Sequence, residues 1–305
     1  MGSRLKRLLK TLLKFAVTAA ALYFVIRKIE VSQVIALYRQ ANFLLLFLAL
    51  IAFALSKLVS AYRLNMYFAA IDLKLKEKTN IQLYLLGMFY NLFLPGGIGG
   101  DGYKIYILQK EYNSGTKKIL GAVLADRISG MVALLVLAIL GISFLNVTAG
   151  SQFAVRSSQL SIFNLQLSIF NLAFLFIPLV ILAYYLFIRY IYPYFLKVNF
   201  VTFGYGFIVQ LLQVLCAWLL LLALGEKEHH LAYLVIFLVS SVVAVLPISV
   251  GGVGVRELTF LYGSQLLNVD MNVAVGISFL FYLITAVVSL SGVYYIFKPI
   301  KLSVD

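Results

Sequence analysis

Charged residues are scarce in this 305-residue chain, and acidic residues are the scarcest. Asp, Glu, Lys and Arg make up 12% of the sequence, with 11 acidic residues against 25 basic ones. Soluble globular domains contain about 25% charged and about 45–50% apolar residues, whereas 63% of this chain is apolar and its mean hydropathy is +1.01. This composition excludes an ordinary soluble domain and predicts a membrane protein with several spans.

Residues that bind metals or form disulfides are also few. The single cysteine, Cys216, lies in an apolar run, so neither a disulfide framework nor a thiolate cluster is expected. His229 and His230 are adjacent, point in different directions and lack the spacing of a zinc site. No nucleophile elbow or nucleotide-binding loop is present. We therefore expect no catalytic residue, no metal and no cofactor.

The excess of basic residues gives a formal net charge of +14. In a soluble protein this charge would favour nucleic-acid binding, but in so apolar a chain basic loops beside anionic headgroups explain it better. We therefore expect membrane lipids as partners and no nucleic acid. The basic segment 1–10 is not followed by a cleavage pattern, so we expect it to remain attached to a first helix.

One glycine-rich motif occurs twice. The stretch Leu94-Pro-Gly-Gly-Ile-Gly-Gly-Asp-Gly-Tyr-Lys104 returns 152 residues later as Leu246-Pro-Ile-Ser-Val-Gly-Gly-Val-Gly-Val-Arg256, with five identities in eleven positions. Pro95 lacks an amide donor, and glycines adopt backbone angles closed to other residues, so a helix cannot continue through the motif. A helix-breaking motif repeated at half the chain length predicts a duplicated transporter with interrupted helices around its site.

Apolar runs long enough to span a membrane are predicted at 12–29, 41–62, 118–146, 171–191, 201–224 and 272–297. Two further apolar stretches, 80–107 and 231–267, each contain one copy of the motif. The arm before Pro95 is about 15 residues, or about 22 Å, which is shorter than the roughly 30 Å hydrocarbon core. Each stretch can therefore enter the membrane and turn back.

The distribution of basic residues predicts the topology. The loops at 4–14, 63–78, 104–118, 189–197 and 298–301 hold 17 basic residues, against 5 in the other connections. If the basic loops are cytoplasmic, 80–107 begins and ends inside and 231–267 begins and ends outside. The predicted fold is an all-α polytopic membrane protein built as an inverted repeat. Each half contains two helices, one re-entrant hairpin and one helix, with repeat 1 at about 1–150 and repeat 2 at about 160–305 of a single transmembrane domain, 1–305.

Between the halves, the five residues 161–165 are repeated without charge as 168–172. We interpret this segment as an interfacial helix leading into the fifth span, with a long continuation of that span as the alternative. At the inner end of the second helix, Lys57 is assigned to the cytoplasmic interface, where long basic side chains snorkel. Arg63 is assigned either to that interface or to a lipid phosphate.

The repeated turns predict an anion site. Each turn exposes N–H groups, and a helix that starts after it adds its positive end, so a phosphodiester headgroup is a natural ligand. The alternative is close helix packing through small residues. Charged residues within membrane segments favour the functional interpretation. The predicted substrate-binding residues are Arg63, Pro95, Gly96, Gly97, Gly99, Gly100, Asp101, Lys104, Asp126, Arg127, Pro247, Gly251, Gly252, Gly254, Arg256 and Glu257.

At these motifs the sequence resembles the flippase-like family defined by the transmembrane region of lysylphosphatidylglycerol synthase. The resemblance rests on 61–63, 94–101 with Lys104, 126–130 and 246–257. It implies an inner-membrane protein of bacteria that moves aminoacylated phosphatidylglycerol, or in other members polyprenyl- or glycolipid-type substrates, between leaflets. The family position matching Lys104 is more often arginine, which leaves the headgroup open. The soluble aminoacyl-transferase domain of the synthase is absent from this chain, so we do not expect it to make the aminoacyl lipid.

Three function classes follow from these observations. The first is a multi-pass lipid flippase with cytoplasmic termini, in which Asp101, Asp126 and Glu257 pair with the cations or carry protons. The second is a membrane enzyme acting on a lipid-linked substrate, with Asp101 or Glu257 as general base. The third is an accessory subunit in which the motif only packs helices. The candidate protein partner is a second copy of the chain or a lipid-biosynthesis enzyme.

Overall fold

The computed structural model describes residues 23, 26–27, 31–93, 99–112, 115–149, 160–162, 165–167, 173–245, 254–298 and 300. Nearly all of them are helical. The helices are α1 (Val31–Gln40), α2 (Phe43–Ala69), α3 (Glu77–Phe93), α4 (Gly99–Tyr112), α5 (Thr116–Ala149), α6 (Ala173–Ile191), α7 (Leu196–Ala223), α8 (His230–Val245), α9 (Val255–Leu266), α10 (Met271–Leu290) and α11 (Tyr294–Phe297). Short 3-10 turns precede α7 at Pro193–Phe195 and join α10 to α11 at Ser291–Val293.

Five segments of the described chain are long and apolar enough to cross a membrane. They are Phe43–Ala69, Thr116–Leu145, Phe174–Ile191, Pro193–Ala223 and Met271–Phe297. These segments correspond to five of the six predicted spans. The sixth, at 12–29, lies outside the described residues except for residues 23, 26 and 27, which are helical.

The helices begin and pack as their sequences dictate. The Asn42 side chain accepts hydrogen bonds from the amides of Leu44 and Leu45, which caps the start of α2. The side chain of Asp270 caps α10 in the same way. One apolar core, around Phe53 and Phe237, joins α2, α5, α7, α8, α9 and α10. α2 packs most extensively on α7.

The two motif-bearing stretches are each a pair of contacting helices. α3 and α4 replace the predicted stretch 80–107, and α8 and α9 replace 231–267. Gly100 at the start of α4 lies against Gly87 of α3, and Lys104 one turn later also contacts Gly87. In the second pair, Gly263 of α9 lies against Ile236 of α8. The motif therefore interrupts the helix in both stretches, and its central residues, 94–98 and 246–253, lie outside the described residues.

Two segments differ from the sequence prediction. The connection predicted at 27–39 contains α1, which is attached to α10 by a hydrogen bond from the Tyr38 hydroxyl to the Gly276 carbonyl. The predicted interfacial helix is wrong for residues 161–162 and 165–167, where β1 (Leu160–Ile162) and β2 (Leu165–Leu167) pair antiparallel. An uncharged segment that pairs its amides with a neighbouring strand satisfies its backbone without forming a helix.

Candidate functional site

A cavity of about 340 Å³ lies where α2, α3, α4, α5, α7, α8 and α9 meet. Among the described residues, seven charged side chains line it, five basic and two acidic: Lys57, Arg63, Lys104, Arg127, Arg256, Asp101 and Asp126. Charged groups are costly inside a membrane-spanning bundle and are therefore candidates for function. The excess of basic side chains makes this cavity suited to an anion.

One buried charged pair joins α2 to α5. The Nε atom of Arg63 donates to Oδ1 of Asp126 over 2.7 Å, and both residues are buried. The guanidinium lies against Gly130 and Gly206, where a Cβ atom would approach Nη1 to 3.1 and 3.4 Å respectively. Nη1 of Arg63 is buried without a hydrogen-bond partner among the described residues. In the described chain, Arg63 therefore has an Nε group paired with a carboxylate and an Nη1 group that can still donate a hydrogen bond to a ligand.

A second cluster joins α4 to α5 through one carboxylate. Asp101, in the first turn of α4, accepts from Nζ of Lys104 at 3.2 Å and from Nε of Arg127. Lys104 Nζ also lies 4.5 Å from the centre of the Tyr84 ring on α3. Asp101 and Lys104 are buried, so the carboxylate has exchanged water for two cations. This cluster carries one positive charge in excess.

The remaining two cations of the cavity rest on aromatic rings. Lys57 Nζ lies 4.5 Å from the centre of the Phe53 ring, one turn earlier on α2. The guanidinium carbon of Arg256 lies 4.8 Å from the centre of the Phe281 ring on α10. The two rings touch edge to face, with centroids 5.4 Å apart. Within the described chain, neither Lys57 nor Arg256 has a carboxylate within ion-pair distance.

The motif residues that the structure describes have different positions. Gly99 and Gly100 begin α4, and the Gly100 amide donates to the Asn91 side chain over 2.8 Å. Gly254 has φ of 86° and precedes α9. Glu257 is not among the residues that line the cavity. Its carboxylate accepts from the Gly254 amide at 2.6 Å and from the Ser278 hydroxyl at 2.9 Å, so it holds α9 against α10.

Six of the predicted site residues lie outside the described residues: Pro95, Gly96, Gly97, Pro247, Gly251 and Gly252. Six others line the cavity: Arg63, Asp101, Lys104, Asp126, Arg127 and Arg256. The structure therefore brings together side chains from the second predicted helix, both motif copies and the helix after the first motif. In the part of the chain that is described, no three His, Cys, Asp or Glu side chains form a metal-binding group.

The family comparison covers most of the chain. The model of the family described as the transmembrane region of lysylphosphatidylglycerol synthase matches residues 11–292. The chain belongs to this family. A Pyrococcus horikoshii protein described as a UPF0104 membrane protein is 26% identical over 108 residues, which is 35% of this chain and 32% of that protein. The chain is therefore a membrane protein of the synthase transmembrane-region family, and its resemblance to that family is confirmed.

Sequence reasoning missed several polar residues of the cavity in this family member. Lys57 was assigned to the cytoplasmic interface, yet its side chain lines the cavity. Gln210 lies in an apolar run far from either motif, Ser241 lies in an apolar run just before the second motif, and both also line it. Gln210 donates to the Gly130 carbonyl over 3.1 Å, whereas the Ser241 hydroxyl has no partner among the described residues. A polar residue inside a predicted span was the available signal, because such positions are rarely lipid-facing.

Proposed function

We propose that this protein is a lipid flippase that moves an anionic or aminoacylated phospholipid headgroup between leaflets. The cavity carries the proposal, since five basic and two acidic side chains surround about 340 Å³ inside a bundle of apolar helices. The headgroup occupies this space while the acyl chains stay in the bilayer. The carboxylates of Asp101 and Asp126 accept hydrogen bonds from the amine of an aminoacylated headgroup. Polyprenyl-phosphate headgroups have the same anionic chemistry, and they belong to the candidate set together with glycolipid headgroups.

Helix lengths support a re-entrant geometry for both motif-bearing pairs. α3 has 17 residues, α4 has 14, α8 has 16 and α9 has 12. At about 1.5 Å per residue the described part of each helix is about 18–26 Å long, shorter than the roughly 30 Å hydrocarbon core. In the second pair, Tyr233 near the start of α8 donates to the carbonyl of Asp270 beyond the end of α9. The pair thus starts and finishes at the same end of the bundle.

Helix positions support duplication of the chain. Adding the motif offset of 152 to Glu77 and Phe93, the ends of α3, gives 229 and 245, and α8 runs from 230 to 245. The same addition to Phe43 and Ala69 gives 195 and 221, close to the ends of α7.

The directions of the corresponding helices support inversion. The amide of Asn42, before α2, donates to the carbonyl of Ala223 at the end of α7 over 2.9 Å, so these two helices run in opposite directions. An inverted repeat places equivalent helices in this relation. We propose that the two repeats rock against each other to open the cavity to each leaflet in turn, in a bacterial inner membrane.

Reconstitution into liposomes tests the proposal. We expect vesicles with the purified protein to move fluorescent phosphatidylglycerol or its lysyl ester across the bilayer, and Arg63→Gln to lose at least about tenfold of the rate. That loss corresponds to an increase of at least about 1.4 kcal/mol in the activation free energy of transport. Lys78→Gln, which removes an exposed charge outside the cavity, is the matched control.

Two results would redirect the assignment. Equal rates with headgroups of every charge, or with empty vesicles, would refute a headgroup-selective flippase. Conversion of the labelled lipid to a new product without movement would support the alternative, a membrane enzyme acting on a lipid-linked substrate.

A further inference from the structure

The basic residues of the cavity fall into a paired and an unpaired group. Arg63 is neutralised by Asp126, and Asp101 is shared by Lys104 and Arg127. Five positive charges less two negative charges leave three, and two of these three belong to Lys57 and Arg256. Lys57 and Arg256 lie over two rings that touch each other, so their like charges are near one another. An anion placed between them relieves that repulsion without breaking an existing ion pair.

The aromatic rings hold these two cations in a state ready to bind. A cation over a ring gains attraction from the face of the ring without losing its hydrogen-bond donors. The guanidinium of Arg256 lies over the Phe281 ring, and this contact uses none of its N–H groups, which stay available as a fork. Lys57 on Phe53 adds a compact point charge. A fork beside a point charge suits the two non-bridging oxygens of a phosphodiester.

A third donor lies close to the same rings. Phe237 touches Phe281 with ring centroids 4.8 Å apart, and Ser241 is one turn after Phe237 on α8. Ser241 is 8% exposed, lines the cavity, and its hydroxyl has no hydrogen-bond partner in the described chain. A buried hydroxyl without a partner is unfavourable. Rotation about its χ1 bond lets this hydroxyl donate to a bound oxygen.

We propose that Lys57, Arg256 and Ser241 form the phosphate subsite of the cavity, and that the ion-paired cations do not make the primary contact. The inference rests on the proposed function, because it takes the ligand to be a lipid phosphodiester. The subsite combines residues of α2, α8 and α9. It therefore draws on both proposed repeats, whereas Asp101 and Asp126, the carboxylates that line the cavity, lie in the first.

Binding of a short-chain lipid to the purified full chain tests the subsite. Isothermal titration with dioctanoylphosphatidylglycerol is expected to show at least about tenfold weaker affinity for Lys57→Gln and for Arg256→Gln, because each loses a charge-assisted hydrogen bond. Ser241→Ala is expected to lose about three- to tenfold. Lys57→Arg, which keeps the charge, is expected to stay within about threefold of the unmodified protein.

Matched variants separate the subsite from general effects of charge and folding. Lys78→Gln removes an exposed charge outside the cavity, and Ser240→Ala removes a neighbouring hydroxyl that is bonded to the Phe237 carbonyl. Both should bind as the unmodified protein does. Lys104→Gln should lose less than Lys57→Gln. Unchanged affinity in both Lys57→Gln and Ser241→Ala, or a greater loss in Lys104→Gln than in Lys57→Gln, overturns the inference.

Two further ligands identify the source of the phosphate. Dioctanoylglycerol lacks the phosphate and should not compete. Glycerol phosphate lacks the chains and should bind more weakly than the lipid. If glycerol phosphate binds as tightly as the lipid with the same dependence on Lys57, the phosphate subsite is retained, but the conclusion that its ligand is a lipid is refuted.

The liposome assay separates failure of the subsite from failure of the proposed function. Binding with the expected variant pattern but no translocation by the unmodified protein would retain the subsite and remove the flippase. Translocation that is selective for the headgroup but unchanged in Lys57→Gln would retain the flippase and refute the subsite.

Discussion

At the scale of single residues, the cavity contains two kinds of cation. Each kind includes a lysine and an arginine, so the residue type alone does not tell them apart. Arg63, Lys104 and Arg127 share carboxylates, whereas Lys57 and Arg256 rest on aromatic rings. A buried charge whose partner is removed is strongly destabilising, since its desolvation is no longer compensated. Paired cations should therefore contribute more to folding than unpaired ones, and unpaired cations more to ligand affinity.

The Arg63–Asp126 pair tests this distinction. Arg63→Gln leaves the Asp126 carboxylate of α5 buried without its cation, and we expect a loss of about 3–5 kcal/mol of stability. Thermal unfolding in detergent measures it. The double variant Arg63→Gln/Asp126→Asn should recover part of the loss because no charge is then left unpaired. A double variant no more stable than the single one would contradict the argument.

Glu257 supports folding through different contacts. Its carboxylate accepts hydrogen bonds from the Gly254 amide and the Ser278 hydroxyl. Glu257→Ala leaves these two donors without an acceptor, which costs about 1–3 kcal/mol of stability for each. We expect a lower unfolding temperature with little change in headgroup selectivity among the molecules that remain folded. Glu228→Ala, at an exposed position, is the control. A selectivity change without loss of stability would instead place Glu257 in contact with the lipid.

At the scale of elements, the contact between α3 and α4 depends on a pair of glycines. A Cβ atom on Gly100 would lie 1.8 Å from the carbonyl oxygen of Gly87, so the helices cannot keep their separation with any larger residue. Asp101 and Lys104 follow directly on α4. Their positions in the cavity therefore depend on this backbone contact as well as on their own ion pairs.

A comparison of two alanine substitutions tests the glycine contact. Gly100→Ala should separate α3 from α4, lower the unfolding temperature and reduce transport. Gly102→Ala, two residues later on the same helix, meets nothing within 4 Å. It should be neutral or stabilising by about 0.5–1 kcal/mol, because alanine favours a helix over glycine. Equal effects of the two substitutions would refute the contact as the cause.

The elements were more predictable from the sequence than the cavity was. Apolar length located five spans, and the Pro-Gly motif located both helix interruptions, because these features act locally on the backbone. Lys57 and Ser241 were not identified, since whether a helix face meets lipid or a cavity depends on how the helix is rotated against its neighbours. Most residues of such a helix are apolar whichever way it is rotated, so hydrophobic periodicity carries little information about that rotation.

At the scale of the whole molecule, the proposed inverted topology predicts which side each connection faces. Cys216 is the single cysteine and is buried, so Cys216→Ala gives a background for introduced cysteines. Cysteines at the exposed positions Lys78 and Glu111 should react only from the cytoplasm, and those at Glu228 and Asn268 only from outside. A membrane-impermeant maleimide applied to cells and to inverted vesicles measures this. Labelling of Lys78 and Glu111 positions from opposite sides would exclude the first re-entrant hairpin.

The carboxylate of Asp101, shared by Lys104 and Arg127, has a consequence for biogenesis. α4 leaves the ribosome before α5, so its buried charges enter the membrane region before Arg127 is available. Charged residues inserted alone cost about 2.5–3.5 kcal/mol each. We therefore expect α3 and α4 to remain at the membrane–water interface until α5 is inserted. A cysteine at Lys104 should react with a maleimide in nascent chains truncated after Tyr112 and become protected in chains that extend to Ala149.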